Sequence, residues 1–158
     1  MAHCYATGLG VVRDDAKAAE CYHQAAQAGI AAAQHKVGCF LTEGRGCEAD
    51  MKAAAIYFAQ AARQDYPQAQ YNLGCCFRKG RGVQRDMVQA AVWVSRAAAQ
   101  GLADAQFALA QCYEVGNGLG KDLGEAIKWY KRAADQGHSM AQFHLGLCNE
   151  EGHGIKQS

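Results

Sequence analysis

One phrase recurs along this chain at a fixed interval. An aspartate stands at Asp14, Asp50, Asp86 and Asp122, each 36 residues after the last. Two glycines separated by one residue stand at Gly8/Gly10, Gly44/Gly46, Gly80/Gly82, Gly116/Gly118 and Gly152/Gly154. An Ala-Gln pair starts at Ala33, Ala69, Ala105 and Ala141. No other feature constrains the fold as much. Each repeat of this length is one supersecondary unit that cannot bury its apolar face alone, so neighbours must stack to share a core.

The unit beginning at Pro67 shows what each repeat becomes. Proline suits the first turn of a helix, where its missing N–H costs nothing. Ala69, Leu73 and Phe77 follow at helical spacing, and Gly74 is small where a neighbour must come close. Gly80 and Gly82 end this helix, here called helix A, because glycine accepts a positive φ. Asp86 is placed to cap a second helix, helix B, and Gln89 after Asp86 and Glu125 after Asp122 complete a capping-box spacing. Helix B carries Ala90, Trp93 and Ala97 and stops at Gly101. Its large position elsewhere is Cys21, Tyr57 and Trp129, and its stop is Gly29 and Gly137, but Asp65 in the second unit. A strained or differently built turn is expected there.

The sequence thus predicts an all-α solenoid of antiparallel helix pairs, one repeat array over residues 1–158 with boundaries near residues 30, 66, 102 and 138. Residues 1–7 read as a partial helix A, Met1 sharing the column of Val37, Leu73, Leu109 and Leu145. Neither end carries the polar face of a capping repeat, so a fragment of a longer solenoid is expected.

Charge excludes some partners. The 16 Lys and Arg balance 15 Asp and Glu, which argues against a broad nucleic-acid footprint. No apolar run approaches a membrane span, and the N-terminus has no signal-peptide pattern. The only basic cluster is Arg78, Lys79, Arg81 and Arg85, read as a solvated turn or as a patch that steers an acidic partner.

The 8 cysteines fall in repeat columns: Cys4, Cys76, Cys112 and Cys148 in one, Cys39 and Cys75 in the one before. Equivalent positions on stacked helices lie about 8–10 Å apart, too far for a disulfide. They read as small apolar residues, which favours a reducing compartment. Cys39 and Cys47, with seven residues between them across a helix end, are the one pair whose placement permits a bridge.

Taken together, Ala105-Gln106, Leu109, Gly116/Gly118, Asp122, Ala126, Trp129, Ala133-Ala134 and Gly137 resemble the Sel-1-like repeat, a relative of the tetratricopeptide repeat. The resemblance covers the whole chain. Local departures are Ala110 for Gly, Cys47 and Leu119 for Val, Asp65 for Gly and Cys21 for an aromatic. The resemblance implies right-handed stacking into a superhelix and a scaffold or adaptor that binds a protein or peptide on its concave helix-A face. On that face the expected lining is His35, Cys39, Tyr71, Cys75, Lys79, Phe107, Gln111, Phe143 and Leu147. The His35/Tyr71/Phe107/Phe143 column puts a ring on every repeat. Such a stripe reads equally as core packing, although the Val37/Leu73/Leu109/Leu145 and Leu41/Phe77/Tyr113 columns already supply a core.

Two other readings stand beside the scaffold. Some cysteine-rich members of this family are proposed to bind or hydrolyse penicillins; the resemblance rests on the Cys39/Cys47 spacing, and His35 with Cys39 is the one candidate nucleophile pair. The chain also reads as a structural spacer within a longer solenoid. No dinucleotide or phosphate-loop motif is complete, so no cofactor is expected. His35/Cys39 and His144/Cys148 have helical ligand spacing, but no Cys-x-x-Cys pair accompanies them and no metal site is expected. Nothing in the sequence fixes an oligomeric state.

Overall fold

The structure is a computed structural model. It describes Thr7 and residues 14–150, the side chains of residues 149 and 150 excepted. Apart from helical Thr7, the partial helix A expected over residues 1–7 lies outside the described residues, as do Cys4 and the glycine pairs 8/10 and 152/154.

Among the described residues the chain forms eight helices and no strand. They are α1 (Asp15–Gln27), α2 (Ala31–Glu43), α3 (Met51–Ala62), α4 (Pro67–Lys79), α5 (Met87–Ala99), α6 (Ala103–Val115), α7 (Leu123–Asp135) and α8 (Ser139–Glu150). Odd-numbered helices are helix B of a repeat and even-numbered ones helix A. The chain divides into two compact units, Met1–Arg85 and Asp86–Ser158. In the first, α1 packs on α2, α2 on α3 and α3 on α4; in the second, α5 packs on α6, α6 on α7 and α7 on α8.

Each element of the repeated phrase has a physical task. Asp14, Asp50, Asp86 and Asp122 all cap helix B, their carboxylates accepting from first-turn N–H groups at 2.9–3.0 Å. The carboxylate of Glu125, expected to reach back to its cap, is instead held by Lys128 Nζ at 2.6 Å. Gly44, Gly80 and Gly116 take the left-handed conformation that ends helix A.

The second glycine of each pair does something different. A Cβ on Gly46 would run into the Asp15 carbonyl, one on Gly82 into that of Met51, and one on Gly118 into that of Met87. Each glycine therefore lies directly on the first turn of the preceding repeat's helix B. Arg45, beside Gly46, strengthens the same junction by donating to Asp15 at 2.9 Å.

The glutamine of the Ala-Gln pair is a buried tie. Gln34, Gln70 and Gln106 turn their amide nitrogens back to the carbonyls of Ala26, Ala62 and Ala98 at 3.2–3.3 Å. These are carbonyls at the end of helix B, which have no partner within their own helix. A second link closes each repeat on itself: Gln64 donates to Gln34 and Gln136 to Gln106, both at 2.8 Å.

Asp65 does not change the turn it occupies. The N–H of Tyr66 returns to the Ala61 carbonyl, as Ile30 returns to Ala25 and His138 to Ala133. Asp65 instead enters the left-handed region itself, at φ 58°. Its side chain accepts from Gln70 at 3.2 Å, which offsets part of that strain.

The core is built of alanines and a few large residues. Ala54, Ala61, Ala62, Ala69, Ala91, Ala97, Ala105 and Ala133 are buried, together with Val37, Leu73 and Leu109. The Leu41/Phe77/Tyr113 column is only half-buried. On helix B the deepest large side chains are Phe58, Val94 and Tyr130. Each follows directly the aromatic position singled out in the sequence. Trp93 and Trp129 lie half-buried under the guanidinium groups of Arg96 and Arg132, 4.7 and 4.5 Å from the ring centroids.

Candidate functional site

In the first unit a notch of about 290 Å³ opens between the two A helices. Cys39, Thr42 and Glu43 of α2 form one wall, and Asn72, Cys75 and Lys79 of α4 the other. Phe58 of α3 lines it as well, and Arg81 contributes from the turn after α4. The repeat explains the opening. Gly38 lies so close beneath the Phe58 ring that a Cβ there would collide with it, so the ring sits low. Thr42 turns its hydroxyl away to donate to the Gly38 carbonyl at 2.8 Å.

At the edge of the notch His35, Cys39 and Asn72 meet. His35 Nε2 lies 3.0 Å from Asn72 Nδ2 and 3.5 Å from Cys39 Sγ. With the amide nitrogen donating, Nε2 is the bare ring nitrogen and Nδ1 holds the proton. Nδ1 is buried with no hydrogen-bond partner. The imidazole packs between Phe58 and Tyr66, ring centroids 5.9 and 5.3 Å away. Burial pushes its pKa down to about 4, and burial pushes the Cys39 thiol up.

This electrostatic setting is the opposite of an activated nucleophile. A Cys-His pair works as thiolate and imidazolium, and here burial favours the neutral form of both. The nitrogen that a third group should orient has no partner. The arrangement holds a neutral hydrogen-bonding surface in place. It also has a consequence for stability. Near pH 6.5 the unfolded chain takes up a proton that folded His35 refuses until about pH 4. Folding should therefore weaken as pH falls through that window, by up to about 1.4 kcal/mol per pH unit. Urea unfolding of wild type and His35→Phe at pH 7.5 and 4.5 measures it, and the variant should lose less stability on acidification.

The expected lining residues are divided between settings. Cys39, Cys75 and Lys79 come together in the notch, and His35 is buried at its edge. Tyr71 is half-buried on α4. In the second unit Phe107 is half-buried against the core, stacked on His138 at 4.6 Å and in contact with Tyr130 and His144. Gln111 is half-buried, Leu147 exposed, and Phe143 more open than Leu147 at 59 %. Asn72, Thr42 and Phe58 were not anticipated, and Arg81 was read only as part of the basic cluster. Asn72 had a signal: its column reads Lys36, Asn72, Ala108, His144 and is not held to one residue type by packing. Cys39 and Cys47 are not bridged to each other; both are free thiols. No group of three or more His, Cys, Asp or Glu among the described residues is placed to hold a metal. No helix among them is long and apolar enough to cross a membrane.

The family model described as Sel1 repeat matches residues 1–30, 31–66, 67–102, 103–138 and 139–158. The chain belongs to the Sel1 repeat family. Its fold is the all-α solenoid of that family, with the 36-residue period read from the sequence. A Sel1 repeat protein from Oxalobacter formigenes is 32% identical with a TM-score of 0.92; the match covers 99% of this chain and 64% of that one. A protective antigen of uropathogenic Escherichia coli displaying an SLR fold is 30% identical with a TM-score of 0.65, over 99% of this chain and 41% of that one. This chain therefore spans less than two thirds of either relative. Helicobacter pylori cysteine rich protein B has the same fold, at 21% identity and a TM-score of 0.66, over 84% of this chain and 96% of that one. No curated protein matches the sequence. Sel1 repeats commonly serve as protein–protein interaction scaffolds.

Proposed function

We propose that this Sel1 repeat chain is a scaffold that binds a peptide or protein segment along its helix-A face. The notch between α2 and α4 is the anchoring point in the first unit. The observation that carries this reading is that, apart from the core residue Phe58 at its floor, the notch is lined by side chains the fold does not bury in its own core. Cys75 and Lys79 vary from repeat to repeat, and Lys79 and Arg81 are exposed. Residues held for packing recur in every repeat; those that vary are available to a partner. Phe143 and Leu147 add exposed apolar surface on α8, of the kind that marks interaction sites.

The neutral His35/Cys39 pair favours binding over thiol catalysis. Penicillin hydrolysis, the enzymatic alternative, predicts turnover that disappears in Cys39→Ala. The scaffold reading expects no turnover above buffer in either protein.

A peptide-display selection on the whole chain, followed by titration of the selected binders, tests the scaffold reading. Tyr71→Ala or Phe107→Ala is expected to weaken a selected binder by about tenfold, the effect of truncating an aromatic anchor. Unchanged affinity in both variants would place binding on another face.

A further inference from the structure

The notch has an unbalanced charge. Lys79 and Arg81 line it, and Arg78 stands beside it with Nη2 3.9 Å from Cys75 Sγ. Its one carboxylate, Glu43, is engaged by Arg45 Nη1 at 3.7 Å. Among the described residues no carboxylate lies within ion-pair distance of Lys79 or Arg81. Position at the end of α4 accounts for Arg78 and Lys79, since cations suit a helix C-terminus. It does not account for Arg81, which lies beyond the helix end.

The second unit offers an internal comparison. Seventy-two residues on, Glu114 stands for Thr42, Tyr130 for Phe58 and His144 for Asn72. There the protein supplies a carboxylate of its own. Glu114 Oε2 accepts from the Tyr130 hydroxyl at 2.7 Å and lies 4.0 Å from His144 Nδ1. The imidazole of His144 stacks on the Tyr130 ring, centroids 5.1 Å apart. The first unit has the same backbone frame without that carboxylate. In its place are an open volume of about 290 Å³, an amide at Asn72 and cations at the rim. That volume equals about ten waters, enough for one acidic side chain and part of its hydration.

We infer that the α2–α4 notch selects an acidic side chain, an aspartate or glutamate of an extended protein segment. Its carboxylate takes the place that Glu114 fills in the second unit. The inference rests on the helix-A-face reading and names the chemistry of its partner. Lys79 and Arg81 supply attraction at the rim, Asn72 lines the α4 wall with an amide, and Phe58 takes the methylene part of the side chain.

The experiment uses the whole chain and a display library of random dodecapeptides. Selected sequences should be enriched in Asp or Glu at one position. Replacing that residue by its amide should weaken binding at least tenfold, and 0.5 M salt should weaken it further, as expected of rim charges. The double variant Lys79→Glu/Arg81→Glu changes only exposed side chains and should abolish the acidic preference. Arg85→Glu alters the same basic cluster outside the notch and should leave the preference intact. Amidated and free-acid versions of the selected peptide separate a side-chain carboxylate from a C-terminal one; dependence on the free C-terminus overturns the proposal. Binders without acidic preference, or with a preference equally sensitive to Arg85→Glu, overturn it while leaving the scaffold reading in place. No enrichment at all removes both.

Discussion

Replacing Gly82 by alanine is expected to be the most damaging single-methyl change in the first unit. Two costs add. The residue sits at φ 71°, where a Cβ costs about 1–2 kcal/mol. The methyl would also enter the Met51 carbonyl at the start of α3. A backbone neighbour cannot swing aside as a flexible side chain can, so the helices must separate, at roughly 1–3 kcal/mol. The sum is about 3 kcal/mol. For a unit of this size each kcal/mol lowers Tm by about 4–8 °C, so the fall should exceed about 10 °C. Gly29→Ala is the control: φ is 86°, but a Cβ there meets nothing within 4 Å. It should lose only the conformational part. Thermal unfolding followed by circular dichroism compares the two, and equal losses would show that the contact between Gly82 and α3 contributes nothing.

The second large effect is expected at Gln70, whose side chain is 0% exposed. Gln70→Leu keeps the volume and removes the amide. The Ala62 carbonyl then keeps only the Asp65 N–H at 3.1 Å, and the exposed Asp65 carboxylate is left to solvent. Losing two hydrogen bonds at about 0.5–1.5 kcal/mol each places the total near 2 kcal/mol. Gln142 makes the same bond to the Ala134 carbonyl at 3.3 Å, but it is exposed and water can replace it. Gln142→Leu should cost well under 1 kcal/mol. Urea unfolding of both variants gives the comparison; similar losses would mean that burial does not set the value of this tie.

Several sequence features could be interpreted because they repeat. Asp86 and Asp122 read as caps, and Gly80 as a helix end, because local backbone chemistry allows few residues in those places. The second glycine read only as part of a turn. That Gly82 lies on Met51, thirty-one residues earlier, is a contact between repeats, and spacing within one repeat does not contain it. The buried glutamines were visible only as a marker for the same reason: the acceptor of Gln70 lies on the previous helix B. Trp93 and Trp129 were conspicuous, yet the inward direction belongs to the following residue, a matter of helix rotation that size does not reveal.

The sequence alone determined the period, the all-helical class, the caps and the turns. These depend on interactions within a few residues and are enforced again in every copy. Tertiary structure decided which variable residues meet. Cys39, Asn72 and Arg81 come from separate elements and share one notch because α2 and α4 lie on either side of Phe58. Whether a carboxylate is already in that position, as Glu114 is in the second unit, or absent, as in the first, depends on side chains from three helices at once. No local pattern records such a coincidence, because the physical constraint acts between repeats.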